Sequence, residues 1–235
     1  MNEIEAFRQY LRERKQSPKI NYHQEALKEM ERIREEKEQK PTLLLHACCI
    51  ICACWPLDFL HDTFDVTVLF HNPNIWPEEE YNLRLSEFRR YLKERWNNEI
   101  PLIETPYQGE EFMKSLSFGK DHPEGWKRCF FCYEERMRYG FAMADRNGYD
   151  YFTTVMTFSR QKDSQKFNEI GARLQKEFSH TRYFFSDFKK DNGQLKSKAI
   201  CEAYNLYRQN YCGCVYSMLN QKGNDPDQRQ MDRVE

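Results

Sequence analysis

The chain predicts an α/β fold: a parallel sheet of about five strands with helices on both faces. Three observations predict it. Short apolar runs of strand character alternate with longer stretches of helical periodicity from residue 42 to residue 209. The strand runs are rich in β-branched and aromatic residues, as in DVTVLFHN (65–72). The stretches between them are long enough for crossover helices, which parallel neighbours require.

The elements follow in order. Residues 1–40 are rich in Glu, Lys, Arg and Gln, and EIEAFRQYLRE and YHQEALKEMERIREEKEQK carry apolar residues at helical spacing. They predict an N-terminal helical extension of one or two helices, broken near Ser17-Pro18. Its charge run reads as a solvated helix face rather than a nucleic-acid arm. TLLLHA (42–47) is the first strand, and PLDFLHD forms a short helix. After the second strand, PEEEYNLRLSEFRRYLKERWNN (77–98) opens with Pro and acids and is a long amphipathic helix. IPLIETPY (100–107) is the third strand, and CYEERMRYGFAMADRNG (132–148) is a helix closed by Asn147-Gly148. DYFTTVMTF (150–158) and RYFFSDF (182–188) are strands four and five, separated by the helix SQKFNEIGARLQKEFS (164–179). LKSKAICEAYNLYRQ (195–209) is the last long helix. Residues 41–220 thus form the main domain, and 221–235 a polar, frayed tail.

The totals narrow the class. Charged residues at 31% and aromatics at 15% describe a chain that folds rather than one that stays disordered. No apolar run approaches the ~20 residues that span a bilayer, and the N-terminus lacks a signal segment, so a cytoplasmic, membrane-free protein is expected. The net charge of -1 excludes a globally basic nucleic-acid binder but not a local basic patch.

The nine cysteines are the unusual feature. A cytosolic chain keeps its thiols reduced, so metal or catalytic use is favoured over disulfide staples. Cys48, Cys49, Cys52 and Cys54 follow the first strand, at the sheet edge where parallel α/β proteins bind ligands. Cys129 and Cys132 form a C-x-x-C at a helix start, where the dipole favours thiolate. Cys212-Gly213-Cys214 closes the series, and Cys201 stands alone as a core residue. A closed zinc site needs four thiolates, fewer than these clusters hold. An iron–sulfur cluster plus a second function suits the number better. The C-G-C pair is the candidate second function, because a disulfide across one glycine is strained and easily reduced. Neither a P-loop nor G-x-G-x-x-G follows the first strand, so ATP and NAD are not indicated.

The stretches LLLHACC, FHNPNIWPEEEY, RCFFCYEERM and LYRQNYCGCVYS, in this order between Pro41 and Leu219, resemble the QueH-type epoxyqueuosine reductases. The resemblance implies a Rossmann-like sheet of the adenine-nucleotide α-hydrolase kind without its ATP motif. It implies the two-electron deoxygenation of epoxyqueuosine to queuosine at the tRNA wobble position, the last step of queuosine synthesis, without cobalamin. It further implies a [4Fe–4S] cluster on Cys48, Cys49, Cys129 and Cys132, and a redox-active pair at Cys212 and Cys214. An adjacent mononuclear metal, iron or zinc, is associated with the family, and Cys52 matches as its ligand. The partners implied are tRNA carrying epoxyqueuosine and an electron donor that the sequence does not identify. Cys54 lies outside the pattern and reads as core or spare.

Other candidates have two readings each. Asn72, Asn74 and Tyr81 either bind the cyclopentene diol or ribose, or build their loop. Ser159, Arg160 and Lys162 either meet tRNA phosphate or cap the next helix. The aromatics beside the cysteines either shield a cluster or stack a base. His46 is either a proton donor or a satisfied buried histidine. Two rival functions are weighed: an ATP-dependent tRNA thiolation enzyme, which needs a phosphate loop where ACCIIC stands, and a zinc-stabilised RNA-binding module, which leaves C-G-C unexplained.

Overall fold

The structure is a computed structural model that describes residues 2–36 and 38–222. The polar tail read from residue 221 therefore lies, from 223 onward, outside the described residues. Two helices, α1 (Glu3–Gln16) and α2 (Tyr22–Glu36), precede the sheet. Then follow β1 (Thr42–His46), α3 (Ile50–Leu60), β2 (Asp65–Phe70), α4 (Glu78–Trp96), β3 (Leu102–Glu104), α5 (Gly109–Ser115) and α6 (Lys127–Arg146). The chain continues through β4 (Tyr151–Thr154), α7 (Ser164–Leu174), β5 (Arg182–Tyr183), α8 (Gly193–Ala203) and α9 (Val215–Lys222).

All five strands are parallel, in the order β3-β2-β1-β4-β5. The chain steps outward from β1 to β3, then returns to place β4 on the other side of β1. That reversal creates a topological switch point between β1 and β4, where a crevice opens at the carboxyl ends of the strands. Leu43, Leu44 and Leu45 of β1 are fully buried, as a central strand covered on both faces requires. Their side chains alternate. Leu43 and Leu45 join a core layer with α2, α3 and α4, whereas Leu44 packs with Met137 and Phe141 of α6 and Phe167 of α7. Ala26, Met30 and Ile33 of α2 belong to the first layer. Among the described residues no helix is long and apolar enough to cross a membrane.

Several boundaries differ from those expected. The fourth strand stops at Thr154, whose hydroxyl accepts the Met156 N–H at 3.2 Å and turns the chain into a short 3-10 segment, Val155–Phe158. The fifth strand keeps only two ladder residues. The last long helix ends at Ala203, because Asn205 adopts a left-handed φ of 45°. Residues 204–214 are thereby freed to form a loop that carries C-G-C back to the sheet edge. The helix expected from Cys132 starts at Lys127, so both C-x-x-C sulfurs stand on its first turns. The helix expected at PLDFLHD starts at Ile50 and includes Cys52 and Cys54.

Candidate metal centre

The carboxyl end of β1 runs straight into a cysteine turn. Cys49 caps α3 in an extended conformation with no side-chain cap bond, so its thiol stays free to point elsewhere. The Sγ atoms of Cys48, Cys49 and Cys52 all lie within 4.8 Å of one another, and Cys48 and Cys49 are 3.8 Å apart. Two thiolates on one tetrahedral metal, with bonds of ~2.3 Å, are separated by about that distance. Three converging sulfurs with no oxygen or nitrogen ligand among them form a soft donor set suited to iron or zinc.

The other expected cysteines stand outside this tight group. Cys129 accepts the Gly125 N–H at 3.2 Å on entry to α6, and Cys132 follows one turn later. Cys212 lines a cavity of about 630 Å³ together with Cys48, Cys52, Lys162, Tyr133 and Gln209. Cys214 precedes α9, where its sulfur accepts the Ser217 N–H at 3.4 Å. Gly213 between the pair has φ 136°, which only glycine adopts readily. A Cβ there would lie 3.1 Å from Asn74 Nδ2, so space demands glycine as well. All nine cysteines are free thiols in this structure.

The electrostatics point to negative charge at this centre. Arg136 is 1% exposed and donates to Asn72 Oδ1 at 2.7 Å. Among the described residues no carboxylate pairs with it, and its Nε has no partner. Cys132, Cys48 and Cys212 are the groups whose charge it meets. Arg84, equally buried, pairs with Glu80 but also faces Cys49 and Cys48, and donates to the Cys212 carbonyl at 3.2 Å. Lys162 is half-buried; desolvation opposes its charge, but Cys212, Cys48 and Cys52 raise its pKa overall. A buried cation is costly unless an anion compensates it; Arg84 has Glu80, whereas Arg136 pairs with no carboxylate among the described residues, and the neighbouring cysteine sulfurs are the groups able to supply the charge. The residues present therefore fit a thiolate-bound metal group.

Without metal the thiols are held mostly neutral. Burial pushes Cys49 and Cys132 up to about 12, and Cys214 to about 11. Cys48 shifts the other way, because Cys49 and Cys52 hydrogen-bond to its sulfur. Metal binding at this site must accordingly displace protons.

Several side chains thought able to meet a substrate are consumed by the structure. Asn72 is fully buried, bonded to Arg136 and to the Ala47 carbonyl at 2.8 Å. Tyr81 donates to the Thr105 carbonyl at 2.6 Å. His46 sits between Thr154 Oγ1 and the His71 carbonyl, both at 3.0 Å, and burial holds its pKa down to about 3. It is a satisfied, neutral core histidine. Asn74 differs: its Oδ1 is buried without a partner beside Gly213. Asp163, not Ser159, Arg160 or Lys162, caps α7. Those three line the cavity instead. Cys201 is not alone, as its sulfur lies 4.0 Å from that of Cys54 across the α3–α8 contact.

Two contributors escaped the sequence reading. Arg136 stands one turn after Cys132, a spacing that places both on one helix face and was the available signal. Gln209 donates through Nε2 to Cys49 Sγ at 2.8 Å, and no local pattern signals that contact.

Comparison with known proteins places the chain. The sequence model of the family described as "Epoxyqueuosine reductase QueH" matches residues 43–220. The chain is 36% identical over 202 residues to the Epoxyqueuosine reductase QueH of Streptococcus pyogenes serotype M1, covering 85% of this chain and 78% of that protein. It is 37% identical over 209 residues to the protein of the same name from Staphylococcus aureus strain Mu50, covering 86% of each. For the Staphylococcus epidermidis protein the figures are 36% over 209 residues, covering 86% and 87%. The relatives carry the name of an oxidoreductase, and with three quarters of its length inside the matched span this chain belongs to the epoxyqueuosine reductase QueH family.

Proposed function

We propose that this protein removes the epoxide oxygen from epoxyqueuosine at the tRNA wobble position, giving queuosine and water as the last step of queuosine synthesis. Cys48, Cys49, Cys129 and Cys132 hold a [4Fe–4S] cluster in this reading, Cys52 serves an adjacent iron or zinc, and Cys212 and Cys214 are the redox pair. When bound, the metal group supplies Lewis acidity toward the epoxide oxygen and a one-electron store beside it.

The chain's own residues do the rest. The Cys212–Cys214 dithiol supplies two electrons and two protons and closes to a disulfide. Both C–O bonds of the epoxide break, an alkene forms, and the oxygen leaves as water, so the step balances. Lys162, held protonated in the cavity wall, stabilises negative charge as it develops on the departing oxygen. Tyr133 lies beneath it, with Nζ 6.0 Å from the ring centroid. An external electron donor reopens the disulfide.

The observation that carries this reading is the set of cations, the buried Arg84 and Arg136 and the half-buried Lys162, arranged around sulfurs from three distant segments. The test is anaerobic reconstitution followed by iron, sulfide and queuosine analysis on one preparation. Brown protein that converts epoxyqueuosine-containing tRNA is expected. A colourless zinc protein without turnover would sink the reading.

A further inference from the structure

Helix α1 lies outside the matched family span, and its packing gives it a defined place. Its inner face is pinned to the starts of α6 and α7. Phe7 and Tyr10 meet the Trp126 ring at 5.3 and 5.0 Å between centroids, and Tyr10 meets Phe130 at 5.5 Å. Glu3 accepts from Trp126 Nε1 at 2.7 Å, and Arg14 bridges to Asp163 and Glu169. Helices that follow parallel strands begin at the carboxyl edge of the sheet, so α1 lies along the edge that holds the cysteine cavity. Glu124, Gly125 and Lys162, immediate neighbours of those anchors, line that cavity.

The outer face of α1 carries Arg8, Arg12 and Lys15, all exposed. Their i, i+4, i+7 spacing aligns them in one stripe about 10 Å long. None of the three has an ion pair among the described residues. The nearest acids are engaged otherwise: Glu5 closes the capping box with Asn2, and Glu13, on a neighbouring face, accepts from Gln9. The other lip of the cavity adds Arg160, Lys198 and Arg208, of which Lys198 is partly countered by Glu202 at 3.6 Å.

A wobble base can reach the sulfur site only if its flanking backbone crosses this rim. We infer that α1 is an RNA-backbone platform: Arg8, Arg12 and Lys15 bind phosphates of the tRNA anticodon arm while its wobble base occupies the cavity. The stripe spans about three nucleotides of a stacked strand. Taken alone, the charge run of α1 reads as a solvated face. Rigid docking beside the cavity gives it a ligand. The inference rests on tRNA being the substrate.

The experiment measures binding of epoxyqueuosine-containing tRNA, and of its isolated anticodon stem-loop, across a salt series. The proteins are the wild type, Arg8→Ala/Arg12→Ala/Lys15→Ala, and a control, Lys93→Ala/Lys176→Ala. The control cations are exposed at helix ends on the opposite edge of the sheet. The triple variant is expected to weaken binding of both RNAs roughly tenfold and to lower the slope of log K against log salt by about 2. The control should match the wild type. Equal binding by the triple variant, with the wild type binding well, overturns the inference alone. Failure of the wild type to bind either RNA overturns the tRNA reading and the inference with it.

Discussion

Arg136 reaches Asn72 Oδ1 at 2.7 Å, and Asn72 in turn reaches the Ala47 carbonyl at 2.8 Å, so a buried cation is wired to the residue just before the first cysteine. The guanidinium makes a charge-assisted bond but meets no carboxylate among the described residues. In the reading proposed above, thiolates at Cys132 and Cys48 supply the charge that compensates it.

Arg136→Met should therefore act in opposite directions on the two forms. In the metal-free protein it removes an uncompensated buried charge, and stability should stay level or rise by about 1–4 kcal/mol. In the reconstituted protein, retention of iron under chelator challenge should fall. Thermal melting of both forms, with iron analysis, checks the pair of signs.

Cys129→Ala or Cys132→Ala should lose most visible absorbance after reconstitution, whereas Cys201→Ala should keep it. Cys201 lies 4.0 Å from Cys54 and is not one of the three clustered sulfurs, and both thiols are buried. Bleaching by Cys201→Ala with colour retained in Cys129→Ala would reverse the ligand assignment.

Cys212→Ser and Cys214→Ser should each abolish queuosine formation while the metal stays bound. Gly213→Ala should cost about 1–3 kcal/mol of stability, because φ 136° and the 3.1 Å approach to Asn74 both oppose a side chain. Metal content, turnover and unfolding free energy on the same preparations decide these outcomes. Metal loss in either serine variant would move that sulfur into the ligand set.

Acid should destabilise the protein through His46. Burial and then Arg136 lower its pKa from 6.5 to about 3 in the native state. Between those values the unfolded chain binds a proton that the native state refuses. The contribution is fully present above pH ~6.5 and drains away as pH falls toward about 3, at up to about 1.4 kcal/mol per pH unit. His46→Gln, which cannot titrate, should lose about 2 kcal/mol less than wild type between pH 6.5 and pH 5. Urea unfolding at the two pH values measures it; equal losses would show that the buried histidine does not govern acid sensitivity.

The alternation of short apolar runs with amphipathic stretches was enough to determine a parallel sheet, because a two-residue and a 3.6-residue period are local properties. The cysteine groups and their order were equally legible, since C-x-x-C and C-G-C are contiguous. Element ends were less so. The Thr154 cap that shortens β4 and the left-handed Asn205 that ends α8 depend on single backbone contacts. The site itself lies further from sequence. Arg136 meets Asn72, and Gln209 meets Cys49, only after the chain reverses between β3 and β4, and the Cys54–Cys201 contact joins residues that the linear order holds far apart. Sequence alone determined which sulfur donors the chain carries and in what order. Tertiary structure decided which charges surround them, because burial and the pairing of distant groups exist only once the layers close.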